Sequence, residues 1–197
     1  QSGMLLEVVC ATQHQLVKKP AGVPDPQAHR LAALDDQVVG DEPGTHALEL
    51  VLAARLTEAG METLAMEDAR GAQWTKLIFN AATNPVGALT GLAHGVACDV
   101  PAVRGVISGL IAEGVAVANA LGIELDSDPE KLVDHAREVA YHHKASMLQD
   151  ALARRATEVA ALNGGIVNFG RETGVPTPLH QAIWALVEGL EHSWTSK

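Results

Sequence analysis

Residues 74–90 read WTKLIFNAATNPVGALT, and one face of this stretch carries groups able to do chemistry. Lys76, Asn80 and Asn84 fall at i, i+4 and i+8. On a helix turning about 100° per residue they form one polar stripe that drifts only about 40° per step. Trp74, Leu77, Ile78, Phe79, Ala81 and Ala82 surround that stripe. One ammonium and two amides on an otherwise apolar cylinder need partners when buried, so the stripe is expected to line a cleft. The competing reading has Lys76 reaching to solvent and the amides capping neighbouring loops. The pattern alone leaves both open. Asn84 precedes Pro85, which disfavours α geometry at Asn84 and predicts a bend or break that frees carbonyls beside the stripe.

A second group lies downstream: SMLQD at 146–150, RATE at 155–158 and Asn163 with Gly164. Ser146 is most simply a helix N-cap, with Gln149 completing a capping box. A helix N-terminus also presents free N–H groups that suit a carboxylate ligand. Glu158 stands between Thr157 and the apolar run 159–162, so it is either a surface acid or an inward one. An inward carboxylate needs a cation, and Lys76 is the candidate.

The elements that must position these groups change character along the chain. Residues 5–11 (LLEVVCA) and 37–40 (QVVG) read as strands, 61–66 as a third, and 18–26 as a loop. Between the last two strands, 46–59 has apolar positions at helical spacing, with Thr45 before it and Gly60 as its stop. Strand, helix, strand is part of a parallel α/β layer. From Trp74 on, strand signals cease. Asp99 with Pro101 begins a helix that Gly122 ends, and Asp128 with Pro129 begins another running to about His143. Ser146 opens a helix through Leu162, continuing toward Gly174, and Thr177 with Pro178 opens the last, ending near Trp194. The expected organisation is a partial α/β segment at 1–68 and an all-helical domain at 69–197, with a boundary near 67–73.

Composition narrows the function classes. The 197 residues carry a net charge of −10, and their basic pairs (Lys18 with Lys19, Arg154 with Arg155) are short and isolated. That excludes the concentrated basic face a nucleic-acid partner requires, while leaving room for a small anionic substrate. Cys10 and Cys98 show no CxxC spacing, so neither a disulfide framework nor a cysteine metal site is expected. The apolar stretch 100–123 is interrupted by Arg104 and Glu113 and contains Gly105, Gly109 and Gly114. It reads as a buried helix, not a membrane span. With no basic-then-apolar leader visible, a cytoplasmic location is expected.

The runs W-x-K-L-x-x-N-x-x-x-N-P-x-x-A-L-T, S-M-L-Q-D, R-x-T-E-x-x-x-L-N-G and G-V-P-T-P occur in this order over about residues 70–190. Together they resemble the C-terminal domain of ketopantoate reductases (2-dehydropantoate 2-reductases). The resemblance implies a mainly α fold: a helical C-terminal domain of the 6-phosphogluconate-dehydrogenase-like type, preceded by the tail of a Rossmann domain. It implies NADPH-dependent reduction of 2-dehydropantoate to (R)-pantoate, in pantothenate and coenzyme A biosynthesis, by an enzyme that is commonly a homodimer. Carried over by motif, Lys76 is the general acid toward the carbonyl oxygen, and Glu158 holds the substrate hydroxyl and orients the lysine. Asn80 and Ser146 are substrate contacts, and Asn84 supports the helix. His94 and His143 stand where the family often has asparagine at the substrate, which puts the identity of the 2-oxo acid in question.

No G-x-G-x-x-G follows a strand in this sequence, so the pyrophosphate seat of a dinucleotide is not found in it. The expectation is a fragment that supplies the substrate-binding half, binds no NADPH tightly by itself and is inactive alone. Two alternatives stay open: a non-catalytic helical dimerisation or binding module, for which Gly105 and Gly109 offer a close-packing face, and a reductase of a different 2-oxo acid.

Overall fold

The computed structural model describes residues 45–61, 63, 65 and 68–195. The strands expected at 5–11 and 37–40 and the loop at 18–26 lie outside these residues. The chain divides between Ala69 and Arg70 into two compact units.

In the first unit α1 spans Thr45–Glu58. Gly60, at φ 88°, ends it in the left-handed geometry that glycine adopts without strain. The third expected strand is not formed at Met61, Thr63 and Ala65. The backbone there is tied to the preceding helix: Met61 N–H donates to Leu56 O at 2.9 Å, and Thr63 N–H to Thr57 Oγ1 at 3.0 Å.

The second unit is helical throughout its described secondary structure. It comprises α2 (Arg70–Thr90), α3 (His94–Asp99), α4 (Pro101–Ala120), α5 (Pro129–Val139), α6 (Ser146–Leu152), α7 (Val159–Thr173) and α8 (Pro178–Thr195). The fold is mainly α, as the composition and helix signals imply. Helix α2 is its hub and packs against each of the other six. Ile78, Ala81, Ala82 and Val86 of α2 meet Ile107, Leu110, Ile111 and Val117 of α4 and Ile166 of α7 in one core. Small residues let the axes close up. A Cβ at Gly114 of α4 would lie 2.9 Å from Ile78 Cγ1, inside the contact distance. Although α4 is long and apolar enough to cross a membrane, it packs on α2, α7 and α8 and buries Leu110, Ile111 and Val117 there.

Asp128 accepts from Glu130 N–H at 2.9 Å and caps α5, with Pro129 at the first helical position. The free N–H groups of Leu179 and His180 at the start of α8 donate to the Glu113 carboxylate of α4 at 2.9 and 3.0 Å.

Five expectations are corrected. Helix α2 runs unbroken through Asn84 and Pro85. Helix α5 stops at Val139, because the chain beyond it serves α3: His94 N–H donates to His143 O and Gly95 N–H to Tyr141 O, each at 2.9 Å. The short helix α3 has no cap or periodicity signal in the sequence, and Asp99 closes it instead of opening α4. The single helix expected from Ser146 through Leu162 is two helices. Arg154 takes φ 52° between them, and Asp150 is claimed by Arg155 through Nε at 2.9 Å and Nη2 at 2.7 Å. The Ser146–Gln149 capping box is also absent: Ala145 occupies the N-cap position, and Gln149 Nε2 donates to Lys144 O at 2.8 Å.

The seam between α3 and the 140–143 loop yields a stability prediction. A Cβ on Gly95 would collide with the Tyr141 ring and stand 2.8 Å from Tyr141 Cα. Because backbone must move, Gly95→Ala should destabilise the chain by roughly 1–3 kcal/mol, read from urea unfolding. An unchanged midpoint would mean that the loop yields freely.

Candidate functional site

The α2 stripe is graded in exposure. Lys76 is exposed, Asn80 is half-buried and Asn84 is only 8% exposed. The gradient follows from packing: residues 81–88 are buried without interruption, whereas the half of α2 that carries Lys76 is less enclosed. Lys76 forms no ion pair or hydrogen bond with the described residues. The Asn84 side chain has a long contact, Thr83 Oγ1 to its Oδ1 at 3.4 Å, and its amide nitrogen has no partner among the described residues. The stripe therefore offers an ammonium at its open end and an amide donor at its closed end.

Ser146 is the first residue of α6 and is exposed, while Met147 and Leu148 behind it are buried against the core. Helix α6 packs on α2, so Ser146 is carried on an element adjacent to the stripe. With seven residues, α6 is too short for its N-terminus to act as an anion site by itself. Glu158 occupies the N-cap position of α7, is exposed and makes no capping bond. No ion pair joins it to Lys76 among the described residues, so the structure does not bring these two together.

His94 and His143 are neighbours through the backbone bond noted above. The His94 ring packs on Phe79 of α2, with centroids 5.8 Å apart, and its Nε2 donates to Val133 O at 3.2 Å. Burial holds its pKa below the usual histidine value, against the opposing pull of the Val133 bond, with His143 and Arg104 adding to the drop. Cys98 Sγ lies 3.9 Å from the same Nε2, and burial raises its thiol pKa against the field of Arg104 and Arg137. His143 itself is exposed. Asp99 fastens this corner by accepting from Tyr141 Oη at 2.5 Å and from Arg137.

Two fully buried polar residues, Asn163 and His180, have no role assigned from sequence. The available signal was Pro85 within a helical pattern, since a carbonyl left without its helix donor calls for an amide elsewhere. A separate open groove is lined by Arg154, Ala156, Glu188, Glu191, His192 and Trp194. None of Lys76, Asn80 and Ser146 lines it. Among the described residues no three His, Cys, Asp or Glu side chains gather as a metal site.

Residues 68–191 match the family described as ketopantoate reductase PanE/ApbA, C terminal. The chain belongs to the ketopantoate reductase family through this domain. It is 32% identical over 133 residues to a 2-dehydropantoate 2-reductase of Pyrococcus horikoshii, covering 68% of this chain and 44% of that protein. With the Archaeoglobus fulgidus 2-dehydropantoate 2-reductase it shares 32% identity over 154 residues, 78% of this chain and 52% of the relative. The chain thus spans about half the length of the curated relatives it matches. Among solved structures, the 2-dehydropantoate 2-reductase of Methylococcus capsulatus superposes with a TM-score of 0.69 at 34% identity, over 77% of this chain and 52% of that one. A D-mandelate dehydrogenase solved with NADH and anilino(oxo)acetate shares the fold, with a TM-score of 0.70 over 78% of this chain and 65% of that one, at 24% identity.

Proposed function

We propose that this chain is the substrate-binding half of an enzyme that reduces 2-dehydropantoate to (R)-pantoate with NADPH. The observation that carries the reading is the graded α2 stripe, with the Lys76 ammonium at its open end and the Asn84 amide at its closed end. In the reaction a hydride supplied by NADPH adds to the ketone carbon while the carbonyl oxygen takes a proton. Negative charge grows on that oxygen, and an ammonium beside it both stabilises the charge and delivers the proton. Lys76 takes this role. Lysine suits it because the ammonium can give up its proton where a guanidinium does not. Asn80 and Ser146 contact the substrate, and Asn84 closes the inner end of the wall. Glu158 holds the substrate hydroxyl and orients Lys76 once substrate bridges the two.

Among the described residues there is no strand and no glycine-rich strand-to-helix turn, so they do not fit a dinucleotide pyrophosphate. No G-x-G-x-x-G occurs in the sequence either, and on this reading the 197 residues alone should neither hold the cofactor tightly nor turn over. A cytoplasmic homodimer is the expected working form.

Histidines at 94 and 143, where the family often has asparagine, favour one further reading, a different 2-oxo acid as substrate. Both readings are tested by kcat/KM with NADPH across a panel of 2-oxo acids, in the protein that joins this chain to its nucleotide-binding half. The highest value is expected for 2-dehydropantoate. Another acid preferred by more than roughly tenfold would shift the assignment to that substrate. Absence of any ketone reduction would instead favour a non-catalytic binding or dimerisation module.

A further inference from the structure

Proline has no N–H, so Pro85 leaves the carbonyl four residues earlier, Ala81 O, without its helix donor. That carbonyl lies where every residue from 81 to 88 is buried, beyond the reach of water. The donor comes from another helix: Asn163 Nδ2 of α7 donates to Ala81 O at 2.9 Å. Its second hydrogen points to His180 Nδ1 of α8 at 3.0 Å, and His180 Nε2 donates to Leu110 O of α4 at 3.0 Å. Because Nε2 carries the ring hydrogen, Nδ1 is the acceptor, and the direction of the relay is set. Two fully buried side chains thus tether α2, α4, α7 and α8 through the carbonyls of Ala81 and Leu110. Asn80 directly precedes Ala81, and Asn84 directly precedes Pro85.

The geometry points to Asn163, aligned by His180, as a positioning residue for the polar face of α2. By supplying the donor that Pro85 withholds, it fixes the direction in which Asn80 and Asn84 face the substrate. This rests on the reading of α2 as the substrate wall. It also explains how α2 passes Pro85 without a break. An unpaired Ala81 carbonyl would otherwise favour a local bend, turning the segment that bears Lys76 and Asn80 away from the segment that follows.

The test is a pair of variants, Asn163→Ala alone and Asn163→Ala with Pro85→Ala, because the alanine substitution at 85 restores a backbone N–H to Ala81 O. Amide hydrogen exchange along α2 in the 197-residue chain should quicken in the single variant and return toward wild type in the double. In the complete protein the single variant should raise KM for the 2-oxo acid by roughly ten- to a hundredfold, with kcat less affected and NADPH affinity unchanged. The double should recover most of that loss. Asn163→Ser gives the same ordering of single and double variants if the alanine variant does not fold. Equal exchange in single and double variants, or a wild-type KM in the single, would overturn the proposal. A wild-type protein that reduces no 2-oxo acid while exchange is still rescued would count against the substrate reading and for the tether.

Discussion

Lys76→Ala in the complete protein is expected to lower kcat for ketone reduction by roughly 10²- to 10⁴-fold, with NADPH affinity retained. That range is what a positioned general acid supplies, and Lys76 is the one cation on the α2 stripe. Its side chain is exposed and makes no hydrogen bond or ion pair with the described residues, so stability should change little. That separates loss of chemistry from loss of fold. Lys76→Arg should restore charge but little turnover, because a guanidinium does not release its proton in the working range. Steady-state kinetics with a cofactor fluorescence titration checks both halves of the expectation. Turnover within a few-fold of wild type would remove Lys76 from the reaction.

The second large effect is acid sensitivity of the fold, centred on His180. Burial presses its pKa down to about 4 from 6.5, against the partial support of the Leu110 carbonyl. The Glu113 carboxylate, 3.0 Å from His180 N, is the charged group that faces this residue from α4. The unfolded chain protonates His180 near pH 6.5 and the folded chain only near 4, so between those values the unfolded state binds more protons. Stability from this group is full above pH 6.5 and is lost as pH falls toward 4, with a total of roughly 3 kcal/mol. Below pH 4 both states are protonated and no further loss accrues. Protonation also places an N–H on Nδ1 against Asn163 Nδ2, which opposes the bond that holds Ala81 O. Urea unfolding across pH 4 to 7 should show His180→Gln losing up to about 1.4 kcal/mol per pH unit of the wild-type slope in this window. Parallel slopes in the two proteins would show that His180 does not carry the effect.

The helix boundaries were legible wherever a side chain or proline acts locally. Asp128 with Pro129 and Gly122 each mark a terminus through a bond or torsion within one turn of themselves, and Pro178 marks the start of α8 even though its free N–H groups go to Glu113 of α4. Reading failed where a distant residue decides. The capping box at Ser146 is locally well formed in sequence, yet Gln149 turns back to Lys144 O. The end of α5 depends on α3, some forty residues earlier in the chain, drawing on the carbonyls of Tyr141 and His143. Unbroken passage through Pro85 depends on an amide 82 residues away from Ala81. No local pattern contains that information.

The candidate site divides in the same way. The Lys76, Asn80 and Asn84 stripe is a property of one helix and was readable from spacing alone. Its gradient from open to closed was not, because burial of Asn84 is set by the helices packed around residues 81–88. The proximity of His94 and His143 also needed the tertiary fold, as did the placement of Glu158 at the exposed start of α7. Asn163 was visible as a letter in a motif, but its work became clear only beside Ala81 and His180.

The most direct test maps the product onto the protein. Pantoate titrated into the complete protein saturated with NADP⁺ should perturb the NMR signals of the Asn80 and Asn84 side-chain amides, the Lys76 ammonium and Ser146. Perturbations confined to the groove at Arg154, Glu188 and Trp194, or none at saturating pantoate, would contradict the assignment of α2 as the substrate wall.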